Sequence, residues 1–211
     1  MRVCCIGDFH GQLPPPVPPC DLLLIAGDIG PDDPDRAAAW LRDELAPWLE
    51  AQPAREVVAV AGNHDLLAAA DAAAFGAAAP WRYLDNEAAV VGGVRIAGSA
   101  WSLPFGAWPF MADEDVLTGI WNAIPDDTQV VVVHGPPFGC CDATARGVPG
   151  GSLSLLRRLT ELPDLHLVCC GHIHEGYGRE TLWTGALVVN ASLVDLRVRL
   201  ANAPVVIELD G

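Results

Sequence analysis

Apolar residues along this 211-residue chain come in short unbroken runs, and five of those runs stop abruptly at a polar cluster. They are Val3–Ile6 before Gly7-Asp8, Leu22–Ala26 before Gly27-Asp28, and Val57–Ala61 before Gly62-Asn63-His64-Asp65. The other two are Val130–Val133 before His134-Gly135 and Leu165–Cys170 before Gly171-His172-Ile173-His174. Runs without polar alternation predict strands buried on both faces. In α/β folds ligands collect beyond the carboxyl ends of such strands. Five runs that hand over polar groups at the same end therefore predict one shared site.

Between the runs lie helical patterns. Asp33-Pro34 pairs an N-cap with a proline at the first helical position and opens a helix to about Glu50. Trp40, Leu41, Leu45, Trp48 and Leu49 supply its apolar face, and Pro47 is expected to kink it or end it early. Propensity alone makes the Ala-rich stretch Leu66–Ala79 helical. Asp113–Ala123 and Ser152–Leu162 are further helices. Short β-like runs flank Gly92-Gly93 as a hairpin, and Leu187–Asn190 and Val205–Leu209 also read as β. The expectation is a second, more antiparallel sheet packed on the first, with helices outside. Pro14–Pro19 reads as a loop rather than a linker, which leaves one domain over residues 1–211.

The polar clusters carry the chemistry. Asp8-Phe9-His10 and His172-Ile173-His174 each place two metal-binding groups at i and i+2, on one side of an extended segment. Asn63 directly after a buried strand is costly unless its carbonyl oxygen is used. Of the six histidines, His10, His64, His134, His172 and His174 lie just beyond the five runs, and only His166 does not. Together with Asp8, Asp28 and Asn63 they point to a metal site. Mixed imidazole and oxygen donors suit Mn²⁺, Fe²⁺/Fe³⁺ or Zn²⁺ better than Ca²⁺. Even seven of these eight donors exceed what one tetrahedral ion needs and suffice for two ions about 3.5–4 Å apart.

Charge and cysteine usage narrow the partners. Twelve basic against 27 acidic side chains give a net charge of −15, which repels nucleic-acid backbones and anionic lipids. A long polynucleotide substrate is thus disfavoured, and no apolar run approaches a membrane span. Six of the seven cysteines form adjacent pairs, whose side chains point to opposite faces of a strand. They read as small buried hydrophobes in a reducing compartment, and with no signal-peptide pattern the expected location is the cytoplasm.

In order, D-x-H, G-D, G-N-H-D, H-G-P-P and G-H-I-H resemble the calcineurin-like metallophosphoesterase superfamily over most of the chain. Gly98–Trp101, Trp108-Pro109-Phe110, His134–Gly139, Gly171–Gly178 and Asn190-Ala191-Ser192 are similar to its small phosphodiesterase branch, which is related to the class III cyclic-nucleotide phosphodiesterases. The resemblance implies a four-layer αββα sandwich of two mixed β-sheets flanked by helices. It implies a first metal on Asp8, His10, Asp28 and His174, and a second on Asp28, Asn63, His134 and His172, with Asp28 bridging. Asn63 and His64 would face the substrate phosphate, and Asp65 would orient the His64 ring. The implied reaction is hydrolysis of a small phosphate ester by a metal-bridging hydroxide, the ester being a phosphodiester, with cyclic nucleotides among the candidates. After Gly27-Asp28 the chain reads Ile29-Gly30-Pro31, so the V-D-R-G arginine of the protein-phosphatase branch is missing.

Other readings stay open at this level: hydrolysis of a pyrophosphate bond in a nucleotide or lipid precursor, or a non-catalytic scaffold of the same fold. Phe9, Phe105, Trp108 and Phe138 either line the mouth, where Phe138 would touch substrate, or pack in core and loops. Asn190 and Ser192 either support the site or cap a turn. The oligomeric state has no signature in the sequence.

Overall fold

The computed structural model describes residues 1–209; Asp210 and Gly211, the last two residues of the expected domain, lie outside the described part. Eleven strands form two sheets. One contains β1 (Arg2–Ile6), β2 (Cys20–Ala26), β3 (Ala54–Val60), β4 (Arg82–Tyr83) and β11 (Val205–Glu208) in the order β11-β1-β2-β3-β4. The other contains β5 (Glu87–Val91), β6 (Val94–Ser99), β7 (Val130–Val133), β8 (Leu167–Cys170), β9 (Gly178–Thr181) and β10 (Leu187–Asn190) in the order β5-β6-β7-β8-β10-β9.

Both sheets are mixed, and the second is the more antiparallel, with two antiparallel pairs against one in the first. Both have parallel centres, and their antiparallel pairs (β1–β11, β5–β6, β9–β10) lie at the edges. The five runs are divided, three in the first sheet and two in the second. β5–β6 and β9–β10 are consecutive strands that need only a short return of the chain, whereas parallel neighbours need crossovers, which place helices on the outer faces.

Alternation along each strand explains why the runs are apolar throughout. Val3, Cys5, Leu22, Leu24, Val58 and Val60 meet Ile96, Val130, Val132, Leu167, Cys169 and Val189 between the sheets. Their neighbours Cys4, Ile6, Leu23, Ile25 and Ala59 pack outward on Trp40, Leu41, Leu45 and Phe75. On the far side, Val131, Val133, Val168, Cys170 and Val188 meet Leu117, Trp121, Leu155 and Leu159. The result is helix, sheet, sheet, helix: the four-layer sandwich. Two of the three adjacent cysteine pairs divide between layers as expected, Cys5 and Cys169 facing inward and Cys4 and Cys170 outward, whereas Cys140 and Cys141 lie in the loop after β7 against one outer cluster; all seven are free. Burial pushes the Cys4 thiol up to about 12, so it behaves as a small hydrophobe.

Helix punctuation follows local chemistry. Asp33 caps α1 (Pro34–Trp40) by accepting the Arg36 N–H at 2.9 Å. The chain then widens through a π-helical turn, Leu41–Leu45, before α2 (Ala46–Glu50). Pro47 supplies the reason: its ring would strike the carbonyl four residues back, and the wider turn accommodates it without ending the helix. The Ala-rich stretch is two helices instead of one, α3 (Leu66–Ala70) and α4 (Ala72–Ala77). Asp71 leaves helical geometry (φ −152°, ψ 88°) to cap α4 through the Ala74 N–H, and its side-chain bond outweighs alanine propensity. Asp113 and Ser152 cap α5 (Glu114–Asn122) and α6 (Leu153–Glu161). Gly92 and Gly93, both at positive φ, turn the β5–β6 hairpin. No helix among the described residues is long and apolar enough to cross a membrane.

Candidate metal centre

The carboxyl ends of β1, β2, β3, β7 and β8 meet where the two sheets adjoin. Asp8 and Asp28 are buried at the centre. The Asp8 carboxylate accepts the His172 N–H at 3.0 Å and the Ser192 hydroxyl at 2.6 Å, and His174 Nε2 lies 3.7 Å from its Oδ1. Asp28 Oδ2 lies 3.7 Å from His10 Nε2 and 3.4 Å from His134 Nε2, so one oxygen touches both halves of the cluster. Its other oxygen accepts the His64 N–H at 2.8 Å. Asn63 Oδ1 is 3.0 Å from His134 Nε2, and His172 Nδ1 is 3.2 Å from the same nitrogen.

The backbone is bent to achieve this. Asp8, His10, Asp28 and His172 all have left-handed φ angles, between 44° and 68°. Such positions cost about 1–3 kcal/mol each for non-glycine residues and gather where function demands them. They are held by a backbone interlock: the Asp8 N–H donates to Gly27 O, and those of Phe9 and His10 to Asp28 O. Two glycines give the carboxylates room. A Cβ on Gly171 would strike the Asp8 carboxylate, and one on Gly62 would strike that of Asp28.

The ring nitrogens are set for ligation. His134 Nδ1 faces Ala26 O at 2.8 Å; a carbonyl only accepts, so the proton is on Nδ1 and Nε2 is left toward Asp28 and Asn63. His174 Nδ1 faces Asp195 O at 3.3 Å, which directs Nε2 to Asp8 in the same way. His10 Nε2 is buried without a hydrogen-bond partner. Lone pairs thus converge on a space that contains too little positive charge. Burial would drive the second His134 proton off, but Asp28 outweighs burial and holds the imidazole up at about 9 without metal, so a bound cation would displace the proton from Nε2. Burial opposes ionisation of Asp28 too, yet His134 and its neighbours keep that carboxyl far below the usual range. His172, desolvated and beside His134, falls to about 3, and burial lowers His10 as well. This donor set fits divalent cations. Asp8, His10 and His174, and again Asp8, Asp28 and His134, bring ligand atoms within 4.8 Å of one another.

The expected role of Asp65 changes. The Asp65 carboxylate does not orient the His64 ring: it accepts the N–H groups of Ile29 (3.0 Å), Gly30 (2.9 Å) and Gly62 (2.8 Å). Burial and nearby Asp28 push it up to about 7. Asp65 points inward and ties the loop after β2 to the loop after β3, whereas His64 faces the mouth. The carboxylate beside the ring is Asp32, with Oδ2 3.2 Å from His64 Nδ1. Its only trace in the sequence is its place four residues after Asp28, inside a turn-like Pro-Asp-Asp-Pro. Among the aromatics, Phe9 is core, packed on Trp40. Trp108 lies 4.2 Å from the His64 ring and Phe105 5.2 Å from His172. Phe138 is 41 % exposed on the loop after β7, and no ring contact with the site imidazoles is found for it among the described residues.

Asn190 and Ser192 support the site. Asn190 donates to the carbonyls of Cys141, Gly171 and Ile173 and accepts from the Ser192 N–H, bracing the His172–His174 turn. Replacing Ser192 by alanine removes the only hydroxyl on Asp8 among the described contacts. Metal affinity is expected to fall roughly tenfold or more while the fold is kept. A chelator-competition titration that returned the parent affinity would contradict this.

The chain as a whole is similar to known proteins. The model of the calcineurin-like phosphoesterase family matches residues 1–176. Human metallophosphoesterase domain-containing protein 1 is 29% identical over 238 residues, covering 99% of this chain and 71% of the human protein. A UPF0046 protein of Caenorhabditis elegans is 28% identical over 198 residues, covering 84% of this chain and 65% of its own length. A solved structure superposes with a TM-score of 0.65 at 18% identity, covering 90% of this chain and 89% of that one, which establishes a common fold. With more than four-fifths of its length matched, and the strand-end donors gathered in one cluster, this chain belongs to the calcineurin-like phosphoesterase family.

Proposed function

We propose that this protein is a metal-dependent phosphodiesterase acting on a small phosphate ester. The observation that supports it most is the convergence of Asp8, His10, Asp28, His134 and His174 on one space, with Asn63 and His172 against His134 and His64 just beyond. Asp8, His10, Asp28 and His174 would hold one divalent cation, and Asp28, Asn63, His134 and His172 a second. When bound, the cations supply Lewis acidity, making water a nucleophile near neutral pH and offsetting charge on the phosphate.

The chain's own residues supply position and a proton. His64 is anchored through its N–H to Asp28, and its ring lies between Trp108 and Asp32. That leaves Nε2 for the leaving oxygen, which it protonates as general acid. Without the phosphate-clamping arginine of the protein phosphatases, the site relies on Asn63 and His64 to meet the phosphate. The acidic surface favours a compact ester over a polynucleotide. Seven free cysteines support a reducing, cytoplasmic setting.

The test is hydrolysis of bis-p-nitrophenyl phosphate by chelator-stripped protein before and after Mn²⁺ is added back. Turnover is expected only with metal. In His64→Ala both cations should remain while kcat falls by about 10²–10⁴. A folded protein inert with every divalent ion tried would overturn the reading, as would a His64→Ala protein with the parent kcat.

A further inference from the structure

Beyond β6 the chain makes a tight loop, Ser102–Met111, closed by a bridge between its ends. The Ser102 N–H donates to Phe110 O at 2.9 Å and the Ala112 N–H to Ser102 O at 3.1 Å, and Trp101 packs edge-on to Phe110. The loop sits hard against the metal ligands: a Cβ on Gly135, the residue after His134, would come within 2.7 Å of Ser102 Cβ. Gly106 lies so close to Trp108 that a Cβ there would be 3.2 Å from the indole. Pro104 and Pro109 stiffen both limbs.

This anchored loop carries two rings to two different imidazoles of the cluster. Trp108 covers His64, with ring centroids 4.2 Å apart, and is half-buried. Phe105 is 5.2 Å from His172, yet 64 % of it is exposed. A single exposed phenylalanine is ordinary on most surfaces. Here it is held at the rim of a phosphoester site by a preorganised loop, with most of its ring uncovered.

Building on the phosphoesterase reading above, we infer that Phe105 is a stacking platform for a planar ring in the substrate's organic group, an aryl group or a nucleobase. Stacking on an aromatic face is indifferent to charge, so it operates on an otherwise acidic surface. Trp108 positions His64, so one loop places both the platform and the proton donor.

Binding to the Mn²⁺-loaded protein tests this without turnover, using calorimetry on phenylphosphonate and cyclohexylphosphonate. The two share a headgroup and differ in planarity, and apolar area alone favours cyclohexyl. Phenylphosphonate is expected to bind roughly five- to a hundredfold tighter. Phe105→Leu should bring that ratio close to one, and Phe105→Trp should keep it. A second pair, adenosine 5′-monophosphate and ribose 5-phosphate, separates the two sources: a larger preference there identifies a base, a larger one in the first pair an aryl ester. No preference for the planar member in either pair, or a preference that Phe105→Leu leaves intact, overturns the inference. If bis-p-nitrophenyl phosphate proves inert while the ratio holds, the catalytic reading has failed and the platform has not.

Discussion

On the proposed two-cation reading, Asp28→Ala is expected to lose both cations and to lower phosphoester hydrolysis at least about 10³-fold, because its carboxylate is the group shared across the cluster. One oxygen touches His10 and His134 and the other fixes the His64 backbone, so a single deletion removes charge from both positions and loosens the proton donor. The protein without metal should suffer as well. Asp28 and His134 form a buried ion pair, and breaking such a pair costs about 3–5 kcal/mol. For a chain of this length that corresponds to a melting point lower by roughly 6–20 °C. Asp28→Asn separates the two effects. It preserves shape and the His64 N–H bond, so it should fold better than the alanine variant while still failing to retain two cations. Metal content by mass spectrometry, read beside a thermal melt, decides the matter. Two ions per chain and a parent rate in Asp28→Asn would contradict the shared-ligand role.

Gly62→Ala is the second large effect, although it adds only a methyl group. The new Cβ would strike the Asp28 carboxylate, lie 2.5 Å from the Asp28 amide nitrogen, and lie 2.7 Å from His134 Cε1. None of these can give way: the nitrogen is backbone, the carboxylate is buried against two imidazoles, and His134 is pinned to Ala26. Misplacement of catalytic groups by about 1 Å costs on the order of 10²-fold. Overpacking should lower stability by about 1–3 kcal/mol. Gly119 is the matched control. It lies within α5 with nothing inside 4 Å of the place a methyl group would take, so Gly119→Ala should gain about 0.5–1 kcal/mol from helix propensity. Measured side by side, the denaturant midpoints of the two variants should move in opposite directions, and the metal-loaded rate should fall only in Gly62→Ala. Equal behaviour would mean that crowding at Gly62 is not what limits it.

Much of the site was legible because its parts are local. A buried strand that ends in Asp, Asn or His announces a polar group placed where burial would penalise it, and five such endings occur. The caps at Asp33, Asp113 and Ser152, and the Gly92-Gly93 turn, also depend on residues only a few positions apart. Where two local preferences compete, patterns read less well. Alanine propensity across Leu66–Ala79 concealed the break at Asp71, and Pro47 widened its helix where termination was as plausible.

The sequence by itself determined the five strand ends, the donor types at each, and the alternation that buries both strand faces, since all of these depend on neighbours in the chain. Only the tertiary structure decided which side chain meets which across long separations. Asp8 takes its hydroxyl from Ser192, 184 residues away, and His134 takes its tautomer from Ala26, 108 residues away. Asp32, not Asp65, sits beside the His64 ring, and Phe9 turns into the core while Phe105 stays at the mouth. Such partners depend on how two sheets pack and how four left-handed residues aim the loops, and chain spacing does not encode the direction of a side chain at a bend.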